Sequence, residues 1–302
     1  MIVTITGASG FIGTNLIAFL QQKGYIINSL SLKHQNWKNI FPLSGDAIIH
    51  LAGKAHDTEN TSDPEEYFIV NTDLTIELFN EFLRSESRDF FYFSSVKAVV
   101  DSIEGVLDEN ISPNPLTPYG KSKLKAERYI LDADVPVGKR VFIIRPCMVH
   151  GPGNKGNLNL LYKIVEKGLP WPLAAFENRR SFLSIDNLSF IIARMLDYKN
   201  ISSGIYHLAD DKSLSTNELI QTVNLALDKK PKLWRLSKKV IENIAGLGDR
   251  FRLPLNSERL KKLTESYVVS NLKIKSALGI EKLPLSAEEG LVKTIKSFRK
   301  EK

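Results

Sequence analysis

A single cysteine, Cys147, stands in the 302-residue chain, so no disulfide can close within it. A lone thiol fits a reducing compartment. Set in the strand-end "RPCMV", it reads as buried apolar filler rather than a nucleophile. Long apolar runs are missing too: no stretch approaches the ~20 residues a membrane span needs. The opening "MIVTITGASG" breaks at glycine and has no basic n-region, so it is not expected to act as a secretory signal. The expectation is a cytoplasmic protein with no transmembrane segment. Histidines are few. His34, His50, His56, His150 and His207 show no metal-ligand spacing and no acids cluster with them, so no metal site is expected.

Acidic residues are outnumbered, 34 against 41 Lys and Arg, which leaves a net charge of +7. Much of the excess lies in "DKKPKLWRLSKK", "ERLKKL" and the tail "KTIKSFRKEK". No recognisable nucleic-acid motif accompanies it, so no nucleic-acid partner is expected. A solvated basic face is the first reading, with an anionic small substrate or an acidic membrane surface as the alternatives.

What the chain does have is the composition of a globular protein, 43% hydrophobic and 25% charged, and the length to bury a full core. The first half alternates short apolar strands ("MIVTIT", "INSLSL", "AIIHLAG", "FFYFSS", "VFIIRP") with helical patterns from about Phe11, near 64–84 and from Tyr119. That alternation predicts an α/β fold, a Rossmann-type doubly wound parallel sheet. The short interval between "SLSL" and "AIIHLAG" predicts a trimmed crossover, with a strand or helix missing. After residue 150 the pattern loosens, although "SIDNLSFIIARML" and "GIYHLAD" add one more helix and strand of the same sheet. We expect residues 1–150 with 184–210 to form the dinucleotide-binding domain. Residues 151–183 with 211–302 are expected to form a smaller, mostly helical lobe. In its "LWRLSKKVIENIAGLGDRF" segment, apolar residues at helical spacing read as a lid helix, with an interfacial membrane helix as the alternative.

"TITGASGFIGTNL" places Gly7, Gly10 and Gly13 directly after the first strand. Such a triplet gives a tight turn, close approach of a diphosphate and close helix–strand packing, with helix amides facing the negative charge. The cofactor is therefore expected to be NAD or NADP. The end of the second strand, "SLSLKHQN", lacks the acid that meets an NAD ribose and carries Lys33 and His34 instead, which leans towards the 2′-phosphate of NADP.

"PLTPYGKSKLKAE" puts Tyr119 one helical turn ahead of Lys123. An ammonium near a phenol favours the phenolate and is expected to lower the tyrosine pKa from ~10. A phenol so tuned can exchange a proton with a sugar alcohol or carbonyl. "FFYFSSV" ends a strand on Ser94 and Ser95, either of which can meet the same oxygen.

In order, "TGASGFIG", "HLAG", "SS", "PYGKSK" and "RRSFLSIDNL" resemble the extended short-chain dehydrogenases/reductases, the sugar-nucleotide epimerase/dehydratase group. Within it the chain looks most like UDP-hexose 4-epimerases and the 4-keto-sugar reductases of surface-polysaccharide pathways. The resemblance implies Tyr119 as general acid/base, Lys123 on the nicotinamide ribose, and Ser95 on the reacting oxygen with Ser94 as fallback. It implies Gly7, Ser9, Gly10, Phe11, Ile12 and Gly13 around the cofactor diphosphate, and Leu51, Ala52, Gly53 and Asn71 along the cofactor. Asn157 and Arg180 would meet the sugar nucleotide, with Arg179 and Arg259 as further candidates. A homodimer through the helices near 64–84 and 119–131 is also implied. Val99 replaces the tyrosine of a "VYG"-like segment, and Met148 stands where galactose epimerases often carry asparagine. Val96 and Lys97 follow Ser95 where dehydratases place an Asp-Glu pair, which argues against dehydration. A non-catalytic dinucleotide sensor is the rival reading, and the intact Tyr-Lys pair speaks against it.

Overall fold

The computed structural model describes residues 1–34, 36–54, 63–154, 158–251 and 256–300. In chain order the strands are β1 (Ile2–Thr6), β2 (Ile26–Leu30), β3 (Ala47–His50), β4 (Asp89–Phe93), β5 (Val106–Leu107), β6 (Arg140–Pro146), β7 (Met148–His150), β8 (Phe182–Ser184), β9 (Gly204–Leu208) and β10 (Val268–Val269). The main sheet has six strands in the order β2-β1-β3-β4-β6-β9, all parallel. The pairs β10–β5 and β7–β8 form two small sheets.

Its helices follow from the same pattern: α1 (Phe11–Gln22), α2 (Pro64–Phe68), α3 (Leu74–Arg84), α4 (Pro118–Leu131), α5 (Leu158–Glu166) and α6 (Ile185–Asp197). A π-turn, Ile69–Asp73, joins α2 to α3, so the expected helix near 64–84 is present with one wide turn inside it. Towards the C-terminus come α7 (Thr216–Ala226), α8 (Lys238–Phe251), α9 (Ser257–Thr264), α10 (Leu272–Leu278) and α11 (Ala287–Lys300).

Strand residues alternate between two apolar layers, as the period of 2 requires. Phe91 and Phe93 of β4 face a cluster shared with Leu16 of α1 and Leu188 of α6. Phe90 and Tyr92 face the opposite cluster, with Phe79 of α3 and Ile130 of α4. Helices thus cover both faces, and every strand of the centre is buried, as parallel sheets demand. The trimmed crossover is real: a short 3-10 turn, Trp37–Ile40, lies between β2 and β3, and β3 pairs directly with β1.

Because β2 lies on one side of β1 and β3 on the other, the winding reverses at β1. The crevice outside the carboxyl ends of β1 and β3 is therefore the switch point where such sheets take ligands. A separate apolar cluster holds Leu161, Trp171, Leu219, Ile241, Leu260 and Leu291. Tyr267, Val269, Ile274 and Leu278 instead join the sheet's own cluster, which ties the C-terminal segment back to the strands.

Candidate active site

The loop after β1 is shaped by close approach. Gly7 has φ +70°, and a Cβ there would stand 2.6 Å from the Ala52 backbone nitrogen. Leu51 and Ala52 are drawn against it by hydrogen bonds from their amides to Thr6, at 3.2 Å to its carbonyl and 3.3 Å to its hydroxyl. Gly13 is buried in the first turn of α1, whose start at Gly10 has no acidic residue and no side-chain cap. Helix amides left open beside a turn of small residues fit a diphosphate. Ser9, Phe11 and Ile12 lie on this loop and the first turn of α1, and Lys33 is exposed in the turn after β2 at the same end of the sheet.

Behind this turn lies a buried hydrogen-bonded chain. His50 Nδ1 meets Thr6 Oγ1 at 2.7 Å and Nε2 meets Thr75 Oγ1 at 2.9 Å. Burial, aided by the charge of Lys123, holds the imidazole down to about 3, so it is neutral and structural. Thr75 in turn donates to the Asn71 carbonyl at 2.9 Å. The Asn71 side chain accepts from the Lys54 amide at 2.8 Å and donates to the Lys54 carbonyl at 3.1 Å and to Ser122 Oγ at 3.2 Å. Asn71 thus clamps the Gly53–Lys54 turn to α4. A wide π-turn at this point is what brings the clamp into reach.

Helix α4 begins with Thr117 as N-cap, its hydroxyl accepting from the Gly120 amide at 3.2 Å, and with Pro118 in the first turn. A Cβ on Gly120 would lie 2.3 Å from the Lys97 carbonyl, so only glycine lets the helix start dock on the serine loop. Tyr119, Lys123 and Glu127 then follow one another down a single face. The Tyr119 ring is half-buried and meets Tyr67 edge-on, with centroids 6.1 Å apart. Lys123 is 5% exposed and donates to the Phe93 carbonyl at 3.0 Å, its ammonium 5.1 Å from the Tyr92 ring centroid. A Cβ on Gly53 would stand 3.1 Å from Lys123 Nζ, so the cofactor-side turn and the lysine share one spot.

The structure separates the two serines. Ser94 is buried and donates to Glu127 Oε1, whereas Ser95 caps a short 3-10 turn, accepting from the Lys97 amide at 3.2 Å, and its hydroxyl reaches Tyr119. The phenol does not follow the sequence expectation. Burial pushes the Tyr119 pKa up, the hydrogen bond from Ser95 opposes that, and the Tyr67 phenol adds to the rise. Lys123 does not reverse it, because its own charge is disfavoured: burial lowers it to about 8, with Glu127 partly restoring it.

Two buried partners and one half-buried one carry roles that the sequence does not assign. Glu127 holds Arg145, with Arg145 Nε donating to Oε1 at 3.0 Å, and Arg145 Nη1 lies 3.5 Å from His207 Nε2. Glu127 was the last residue of the quoted "PLTPYGKSKLKAE", and an arginine inside the apolar strand "VFIIRP" demands such an anion. Lys97 is the third. It is half-buried with Nζ donating to the Asp101 carbonyl at 2.6 Å and standing 4.2 Å from the Tyr267 ring centroid. Burial lowers its pKa while Glu265 and Asp101 raise it and Arg180 and Lys262 lower it, which places all of them around one half-buried spot.

Arg180 faces this same spot from the segment just ahead of β8 and donates to the Lys262 carbonyl at 2.5 Å. Arg179 is exposed beside Ser213, and Arg259 is exposed in the first turn of α9, three residues before Lys262. Asn157 lies outside the described residues. Val99 points into the core, Met148 is 38% exposed on β7, and Cys147 is buried with its thiol pKa pushed well up by burial. Groups of side chains able to hold a metal ion are absent among the described residues.

Residues 3–209 match the NAD dependent epimerase/dehydratase family. The chain belongs to that family. Like its relatives in that family, it is an NAD-dependent enzyme of the extended short-chain dehydrogenase type. It is 29% identical to the UDP-glucose 4-epimerase of Vibrio cholerae, over 98% of this chain and 95% of that one. It is 27% identical to the GDP-6-deoxy-D-mannose reductase of Pseudomonas aeruginosa, over 72% of this chain and 77% of that protein. The solved UDP-glucose 4-epimerase of Thermus thermophilus, in complex with NAD, superposes with a TM-score of 0.72 at 21% identity, covering 99% of each chain.

Proposed function

We propose that the protein is a sugar-nucleotide 4-epimerase that works by reversible hydride transfer at C4 of a UDP-hexose. The observation that carries this reading is the meeting of Ser95, Tyr119 and Lys123 with the Gly53 turn at the switch point of the sheet. The glycine turn at Gly7 and the open amides of α1 fit a dinucleotide diphosphate, and Leu51, Ala52 and Gly53 would run along it. Lys33 at the end of β2 favours acceptance of NADP as well as NAD. When bound, the nicotinamide would supply reversible hydride acceptance opposite C4.

The chain's own groups handle the proton and the substrate. Tyr119 would take the proton of the 4-hydroxyl as its phenolate, a form that burial disfavours and the Ser95 hydrogen bond favours, and would later return one to the 4-keto oxygen. The Ser95 hydroxyl, which meets the Tyr119 oxygen, would turn its single O–H to the reacting oxygen with substrate in place. The Lys123 ammonium, charged below about pH 8, stabilises negative charge on that side of the site. Arg180, with Asn157 and Arg259, would hold the nucleotide diphosphate, so that the sugar extends towards Ser95.

The 27% identity to the GDP-6-deoxy-D-mannose reductase supports a second reading, in which the same residues run only the reductive half of the cycle on a 4-keto sugar nucleotide. Incubating the purified protein with UDP-glucose and no added cofactor separates them. Appearance of UDP-galactose supports the epimerase. A requirement for stoichiometric NADPH with a 4-keto substrate supports the reductase, and neither reaction would defeat both. We further place the protein in the cytoplasm, its single cysteine being suited to a reducing compartment. A homodimer through α3 and α4 is proposed as well, since Leu116, just ahead of α4, and Leu131, at its end, are 71% and 52% exposed. Sedimentation velocity reads that state directly.

A further inference from the structure

Helix α8 is covered on one side only. Ile241 and Ala245 join the second apolar cluster, and Gly248 is buried with them. At about 100° per residue, the neighbouring stripe of the helix carries Val240, Ile244, Leu247 and Phe251 within roughly 60° of arc. These four are 50%, 42%, 54% and 64% exposed. Trp234, on the approach to the helix, is 54% exposed. Large apolar side chains aligned in this way form a contiguous patch, which marks a surface that meets something.

The surroundings of the patch say what. Lys239 and Arg250 border the stripe on its solvent side, and Lys232 and Arg235 are exposed on the approach. Between residues 229 and 251 seven Lys and Arg face only two acids, Glu242 and Asp249. A second copy of this chain would bring the same positive charge to the contact, whereas an anionic bilayer neutralises it. An apolar stripe with flanking cations and an exposed tryptophan is the make-up of a helix lying at the headgroup level of a membrane. No helix among the described residues is long and apolar enough to cross one.

We propose that α8 and the approach at 232–236 seat the protein on the surface of an anionic phospholipid bilayer. In this arrangement α8 packs one stripe on its own cluster and lays the other on lipid headgroups.

Cosedimentation of the full chain with phosphatidylcholine vesicles, with and without phosphatidylglycerol, tests this. The protein is expected to pellet with the phosphatidylglycerol vesicles at low salt and to be released at high salt. Replacing both Lys239→Gln and Arg250→Gln should weaken binding roughly thirtyfold. The pair Ile244→Asp and Leu247→Asp should abolish it, with an unchanged thermal midpoint by circular dichroism because both side chains already face water. Failure of the wild type to pellet overturns the proposal, as does binding that survives the aspartate pair. So does a wild-type dimer that the aspartate pair splits while neither form binds vesicles, which would assign the face to a second copy. Lipid binding is read without turnover, so its failure and that of the enzymatic reading are told apart.

Discussion

Glu127 sits one helical turn beyond Lys123 and forms a fully buried ion pair with Arg145, the Nε–Oε1 distance being 3.0 Å. The pair sets the charge beneath the site: Glu127 raises the Lys123 pKa that burial lowers, and it accepts from Ser94, the neighbour of Ser95. Glu127→Gln leaves the Arg145 charge unpaired in the core, which should cost about 3–5 kcal/mol in urea unfolding. Adding Arg145→Met to that variant should recover much of the loss. A double variant no more stable than the single one would show that the charge balance is not what matters.

Tyr119→Phe should keep cofactor binding, measured by quenching of tryptophan fluorescence, and lower turnover at least ~100-fold, the usual size of a general acid/base effect. Unchanged turnover would remove the phenol from the mechanism.

Lys123 carries a pH signature of its burial. Its folded pKa is about 8 and its unfolded value is 10.5, so between those limits the unfolded chain binds the extra proton. Stability conferred by this position therefore rises with pH across that window, by up to ~1.4 kcal/mol per unit. The stability difference between wild type and Lys123→Met, from urea unfolding at several pH values, should move in favour of wild type above pH 8 and be flat below it. A difference that stays level across the window would refute the cost of burying the ammonium.

His50 gives the opposite limb. It is neutral in the fold down to about pH 3 but protonates near 6.5 when unfolded, so its contribution is lost as pH falls through that range. Wild type should lose up to ~1.4 kcal/mol per pH unit below 6.5 from this group. His50→Gln, which keeps a donor and an acceptor between Thr6 and Thr75, should lose less stability than wild type between pH 7 and pH 5. Parallel acid titrations of the two proteins would sink the assignment.

The sheet and the cofactor turn were legible because their signals are local. Strands bounded by glycine, Gly7 after β1, and Tyr119 and Lys123 at a spacing of four all depend on neighbours along the chain. The choice between Ser94 and Ser95 was not local: it turns on Glu127, 33 residues away, taking one of them. For Tyr119, spacing gives proximity to a cation and says nothing of desolvation, which disfavours both charges. The strands β5, β7, β8 and β10 are two or three residues long and leave no periodic trace. In α8 the apolar spacing was legible, but which of its two apolar stripes the fold would cover was not.

Tyr267 belongs to the C-terminal stretch, yet its hydroxyl reaches the carbonyls of Val96 and Val100 at 3.1 and 2.8 Å, on either side of the turn that Ser95 caps. The serine loop therefore hangs from the same residue that bridges to Arg180. If Arg180 holds the nucleotide end of a substrate, as proposed, a shift of that stretch would carry Ser95 with it, and gripping the nucleotide and squaring the serine to the sugar would be a single mechanical event.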